Sequence, residues 1–121
     1  MFKNLALLSA LFFMSCATHK IAQAVNDLPS CLTTKIETMS ANPREGTPQS
    51  ITRYIYKGQT VYYMLSPCCD KYNIVFDSDC NILGFPDGGY TGKGDGKMTD
   101  FHKEATDGKV VWKKNSEEST F

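Results

Sequence analysis

Beyond position 16 the chain carries four cysteines, Cys31, Cys68, Cys69 and Cys80, and two of them are adjacent. An even set of this size in a small domain reads as two disulfides wherever the compartment is oxidising. Four cysteines allow three pairings. One joins Cys68 to Cys69, whose Cα atoms would be only about 3.8 Å apart across a trans peptide, against the roughly 4.4–6.8 Å that disulfides favour. The reading therefore expects Cys31–Cys68 with Cys69–Cys80, or Cys31–Cys69 with Cys68–Cys80, and does not choose between them. Adjacent side chains on a strand point to opposite faces, so one of the vicinal pair would reach back to Cys31 and the other forward to Cys80. Each bridge would contribute about 2–4 kcal/mol.

The start of the chain, MFKNLALLSALFFMSC, places Lys3 before ten uncharged residues, Leu5 to Met14, and then Ser15 and Cys16. A transmembrane helix needs about 20 apolar residues, so a run of this length reads as the core of a secretory signal. Ser15-Cys16 at its end resembles the lipobox of bacterial lipoproteins, although Phe13 and Met14 depart from that pattern. The resemblance implies cleavage before Cys16, lipidation of Cys16 and a membrane anchor of several acyl chains, firmer than one chain provides. Ala17 after the cysteine, with no acidic cluster nearby, implies an outer-membrane lipoprotein facing the periplasm. The alternative is an ordinary signal peptide cut after Ala17 or after Ala22-Gln23-Ala24. The expected layout is a signal peptide over 1–15, a lipid-anchored tether over 16–27, one domain over 28–114 and a frayed tail over 115–121.

Without its leader the chain would keep 106 residues with 12 basic and 13 acidic side chains. That is the size of one ordinary domain, and a near-neutral charge without basic runs excludes nucleic acid as the expected partner. DLPSCLTTKIETM sets Leu28, Cys31 or Leu32, Ile36 and Met39 at helical spacing, with Asp27 as N-cap and Pro29 in the first turn. A helix is expected over about 29–40. Ile51–Tyr56 and Thr60–Leu65 are β-branched and aromatic around Lys57-Gly58-Gln59, which predicts a hairpin. YNIVF and NILGF, separated by DSDC, predict two more strands. A short helix is expected near Thr99 and a last strand in KVVWKK, with Trp112 packed. The fold class is α+β: an N-terminal helix on a small antiparallel meander, stapled by disulfides. Small periplasmic inhibitor-like and peptidase-propeptide-like domains share that layout, which is a likeness of fold alone.

The chemistry-bearing motifs are mostly near misses. A vicinal thiol pair with Asp70 and a third cysteine could hold a soft ion such as Zn²⁺ or Cu⁺, but the usual structural zinc spacing Cys-x₂₋₄-Cys is absent, and so is the redox spacing Cys-x-x-Cys. A vicinal disulfide acting as a redox switch remains a separate reading. Asp77-x-Asp79-x-Asn81 starts like an EF-hand loop but has Ile82 where glycine is needed and Gly88 where glutamate is needed. Asp, Ser and Asn there predict a turn. GGYTGKGDGKMT departs from a phosphate loop at Thr91 and Met98. Five of the nine glycines lie between positions 88 and 96, a density that permits left-handed backbone. The plain reading is a compact loop held by its own aspartates. The functional reading is a binding loop of Asp87, Gly88, Gly89, Thr91, Gly94, Asp95, Gly96 and Asp100, with Asp87, Asp95 and Asp100 holding an anion or calcium. His19 falls in the tether and His102 in a surface helix, so no nucleophile–base pair can be read, and no catalytic residue, cofactor or metal ligand is assigned.

Pro67-Cys68-Cys69-Asp70, Cys80, Pro86, Gly88-Gly89, Thr91-Gly92, Gly94-Asp95-Gly96 and Asp100-Phe101 together resemble a family of small bacterial lipoproteins described only as a domain of unknown function. The resemblance spans about Asp27 to Phe101. It implies no activity. It does imply that many relatives carry cysteines where Gly84 and Met98 stand here, as though both partners of one bridge had been replaced together. The expected function is a non-catalytic binding or structural role at the cell envelope, with an envelope protein or peptide as partner. A small inhibitor-like or peptide-binding module, or a calcium or soft-metal binder, are the alternatives.

Overall fold

A computed structural model of the chain describes residues 27–115. The expected signal peptide 1–15, lipidated Cys16, the tether as far as position 26 and the tail from 116 lie outside the described residues.

Helix α1 spans Ser30–Ala41 and buries Leu32 and Ile36, one turn apart. Its N-cap is Pro29, whose carbonyl accepts the amides of Leu32 (2.9 Å) and Thr33 (3.2 Å). Asp27 does not cap the helix as expected. Its carboxylate instead reaches Arg53 (2.9 Å) and Lys109 (2.6 Å), because two cations on neighbouring strands offer more than an amide that Pro29 already serves. Asp27, assigned to the tether from sequence, is thus tied to the sheet.

Strands β1 (Ser50–Tyr56) and β2 (Gln59–Leu65) form the expected hairpin, with Tyr56 paired to Gln59. The turn is Lys57-Gly58, both left-handed at φ 49° and 77°, the two-residue geometry that matches strand twist. Strands β3 (Ile74–Phe76), β4 (Ile82–Gly84) and β5 (Thr106–Lys113) complete an antiparallel sheet of order β4-β3-β2-β1-β5. The first four strands are a meander. Helix α2, Phe101–Glu104, precedes β5, which returns beside β1.

The sheet is covered on both faces. Alternation sends Ile51, Tyr62, Met64 and Phe76 to one face, where they pack with Leu32 and Ile36 of α1. Leu28, Met39, Val111 and Trp112 border this core. The other face carries Tyr56, Val61 and Val75, closed over by Met98 and Phe101. A helix on one face of a sandwich was the sequence expectation. The second face is roofed by the glycine-rich segment and α2, because Tyr54, Tyr56, Val61 and Tyr63 present too much apolar area to leave in water.

The cysteine pairing differs from expectation. Cys31 faces Cys80 with Cα atoms 6.2 Å apart, and Cys68 faces Cys69 at 3.7 Å. The alternation argument fails because β2 ends at Leu65 and the vicinal pair lies in the turn that follows. The first turn of α1 sits over the β3–β4 turn, which delivers Cys80 to Cys31 and leaves the adjacent cysteines to each other.

Gly84 on β4 lies beneath buried Met98: a Cβ built on Gly84 would meet Met98 Sδ at 2.7 Å and Met98 Cβ at 3.9 Å. The second distance suits a disulfide, whose Cβ atoms stand about 3.5–4.5 Å apart. The double variant Gly84→Cys/Met98→Cys is expected to close a third bridge quantitatively in air, read as a loss of two mass units and reversed by reductant. Gly84→Cys alone is expected to destabilise by about 1–3 kcal/mol through overpacking.

Candidate functional site

The segment from Phe85 to Asp100 carries Asp87, Asp95 and Asp100, and its shape is set by glycine. Gly94 has φ +67°, and a Cβ there would sit 2.0 Å from the Phe85 carbonyl oxygen. Gly88 has φ +76°, and a Cβ would meet the Lys71 carbonyl at 2.5 Å. No L side chain fits either place. These close approaches let Gly94 N–H donate to the Gly88 carbonyl (3.1 Å), Asp95 N–H to the Phe85 carbonyl (3.0 Å) and Gly89 N–H to the Lys71 carbonyl (3.0 Å).

The aspartates singled out from sequence do not converge. Asp87 accepts the Tyr63 hydroxyl (3.1 and 3.0 Å to its two oxygens) and the Asn73 amide (2.7 Å). His102 Nε2 also reaches Asp87 Oδ2, and since a carboxylate can only accept, the imidazole donates. Asp95 accepts the Lys97 amide at 3.0 Å, and Thr91 Oγ1 accepts the Lys93 amide at 3.3 Å. Asp100 accepts the Tyr56 hydroxyl at 2.7 Å and pairs with Lys57 at 3.1 Å. This is a loop held by its own aspartates and by the sheet beneath it. Among the described residues no three His, Cys, Asp or Glu side chains come together as a metal cluster. Asp77 behaves likewise, accepting the amides of Asp79 and Asn81 (both 2.9 Å) as the expected turn.

Phe101 joins the two polar hubs. Its ring stacks on Tyr63 (5.7 Å between centroids) and meets Tyr54 (5.6 Å) and Tyr56 (5.3 Å) edge-on. Burial first, and then the Asp87 carboxylate, push the Tyr63 phenol far above its ordinary range. The hydrogen bond to Asp100 raises the Tyr56 phenol as well. Neither hydroxyl is set up to give up its proton, so both serve as fixed donors.

Sequence reading missed Tyr63, Asn73, Tyr56 and His102 as partners of this loop. Strand alternation could have grouped the tyrosines on one face. Nothing in the spacing of His102 pointed to Asp87.

Three half-buried carboxyls titrate below the ordinary aspartate value. The Tyr56 hydroxyl, then Lys57, lowers Asp100; a hydrogen bond from Lys109 lowers Asp27; and the Asn81 amide lowers Asp77. The unfolded chain therefore binds more protons at acid pH, and the stability these groups add above their unfolded value of 3.8 is lost as pH falls through their lower folded values. Melting temperature is expected to drop below about pH 4, with a shallower drop in Asp100→Asn, measured by thermal scans across pH.

Residues 37–114 match the domain of unknown function DUF6970, which is 78 of the 121 residues, so the chain belongs to this family. The match opens within α1 and runs through β5, taking in Cys68, Cys69, Cys80 and the whole glycine-rich segment, with Cys31 just outside it. No curated protein and no solved structure matches the chain.

Proposed function

We propose that this is a lipid-anchored protein of the cell envelope with a non-catalytic binding or structural role, and that its glycine-rich loop is the contact surface. The observation that carries the reading is Tyr90. It is 90% exposed, far more than any other large apolar residue described, and it stands on a loop whose backbone is hydrogen-bonded within itself and to Lys71 and Asn73, just before β3. An aromatic ring on a rigid support is how contact residues keep the entropy of binding low. The loop's carboxylates already accept from Tyr63, Asn73, His102, Tyr56, Lys57 and the Lys97 amide, which favours a scaffold over an acid–base centre.

A peptide-binding or inhibitor-like role is the second reading. It is favoured by β5, an edge strand with Val110 57% exposed, which offers main-chain groups to an added strand. The test compares full-length protein with Tyr90→Ala in mild crosslinking on intact cells. Loss of a crosslinked species in Tyr90→Ala, with the melting temperature unchanged, supports the loop. A crosslinked species indifferent to Tyr90→Ala and Asp95→Ala sinks it. The anchor is tested separately, by the mass of the Cys16 peptide.

A further inference from the structure

The two cysteine pairs differ in what they can do for the fold. Cys31–Cys80 spans 49 positions and ties α1 to the β3–β4 turn, with Cys80 packed against the helix-side core. Cys68–Cys69 spans one position and closes no chain loop, so it restricts the unfolded chain hardly at all. Loop closure therefore gives it little to add to stability.

Its setting is that of a presented group. Cys68, Cys69 and Asp70 are all exposed, in the turn after β2. Both ends of this turn are fastened. Gln49 donates its side-chain amide to the carbonyls of Ser66 (3.0 Å) and Pro67 (3.1 Å), and Ser66 N–H donates to Asn73 Oδ1 (2.8 Å). On the far side Lys71 Nζ donates to the Arg44 carbonyl (2.6 Å) and to that of Glu45. Between the fastenings Cys69 sits at φ 63°, a left-handed conformation uncommon for a residue with a Cβ, which Cys80 of the other pair shares. Ser66, Asp70, Lys71 and Tyr72 from this segment form one wall of a groove of about 420 Å³, with Lys35 and Met39 of α1 on the other.

We propose that Cys68–Cys69 is a thiol–disulfide exchange site, opened by a dithiol while the fold stays intact, and that opening it loosens the segment from Ser66 to Tyr72 along the groove. A thiolate of the donor attacks one sulfur of the pair, forming a mixed disulfide and releasing the other sulfur as a thiolate, which takes up a proton. The donor's second thiol attacks the mixed disulfide. The donor leaves as its own disulfide, and two electrons and two protons have passed to Cys68 and Cys69. The released Cys69 is then free to leave φ 63°, and the wall of the groove moves with it. Cys31–Cys80 opens more slowly with the same donor, because half-buried Cys80 packs against the helix-side core and leaves attack to the exposed Cys31 side.

The test uses oxidised full-length protein and dithiothreitol as the probe dithiol. Samples are quenched with an alkylating agent at intervals and mapped after trypsin, which separates Gly58–Lys71, holding Cys68 and Cys69, from the fragments holding Cys31 and Cys80. The expected result is alkylation of Cys68 and Cys69 about tenfold or more ahead of Cys31 and Cys80. Near-UV dichroism should be unchanged at that point, and amide exchange should be faster over 66–72 but not in β1 and β2. The variant Cys68→Ser/Cys69→Ser should fold and lose the fast phase. Opening of both pairs in parallel, opening only on unfolding, free thiols before any reductant, unaltered exchange over 66–72, or a fast phase that survives in the double serine variant would each overturn the proposal.

Discussion

Cys31→Ser/Cys80→Ser is expected to lose about 4 kcal/mol of stability, the chain-entropy value for a closed loop of about fifty residues. The crosslink joins positions 49 apart and fixes the only long helix described to the turn between β3 and β4. Nothing else between these elements is covalent, and α1 buries just Leu32 and Ile36, so the open form also frees α1 to lift from the sheet. A small domain holds about 5–15 kcal/mol in all. The loss should bring the urea midpoint down by more than a molar unit, given a slope of about 1–3 kcal/mol per molar, followed through Trp112 at the border of that core. Cys68→Ser/Cys69→Ser should change the stability by less than about 1 kcal/mol, since its ring closes no loop. Equal losses in the two variants would mean that the native pairing lies elsewhere.

The second large effect is expected at Phe101. Its ring is fully buried and touches Tyr54, Tyr56 and Tyr63. Truncation to alanine should cost about 3–5 kcal/mol, transfer and cavity together. The consequence for the loop is more specific than the energy. Helix α2 is one turn long, too short to stand without packing, and the residues on either side of Phe101 are Asp100 and His102. Phe101→Ala should therefore release Tyr56 from Asp100 and His102 from Asp87 together. Tyrosine titration followed by ultraviolet absorbance reads this directly: the phenols that burial and hydrogen bonds now hold high should ionise earlier. Phe101→Leu, which keeps most of the apolar volume, should fall well short of the alanine loss. A loop that keeps its high-titrating phenols in Phe101→Ala would show that the polar hubs stand without the aromatic layer.

Much of the local structure was legible in the residues themselves. Leu32 and Ile36 one helical turn apart marked α1, Lys57-Gly58 marked the hairpin, and DSDC between two apolar runs marked the turn from β3 to β4. These signals act over a few residues, through backbone sterics and the period of side-chain direction, so they survive without knowledge of the rest of the chain. The compact character of the glycine-rich segment was legible for the same reason. Partner choice was not. Alternation says which face a side chain takes but not what covers that face, and so the roof of Met98 and Phe101 over the second face was not foreseen. The cysteine pairs were misread because a strand was assumed through Cys68 and Cys69 where the chain turns, and because nothing local brings Cys31 over Cys80. His102 looked like a surface residue, and by exposure it is one, yet its Nε2 closes the Asp87 hub. The sequence by itself determined the helix, the hairpin, the turns and the likeness to a domain of unknown function. Tertiary structure alone decided which cysteines meet, what covers each face of the sheet and where each aspartate finds its donors, because those outcomes depend on distances between segments that are far apart along the chain and that only packing sets.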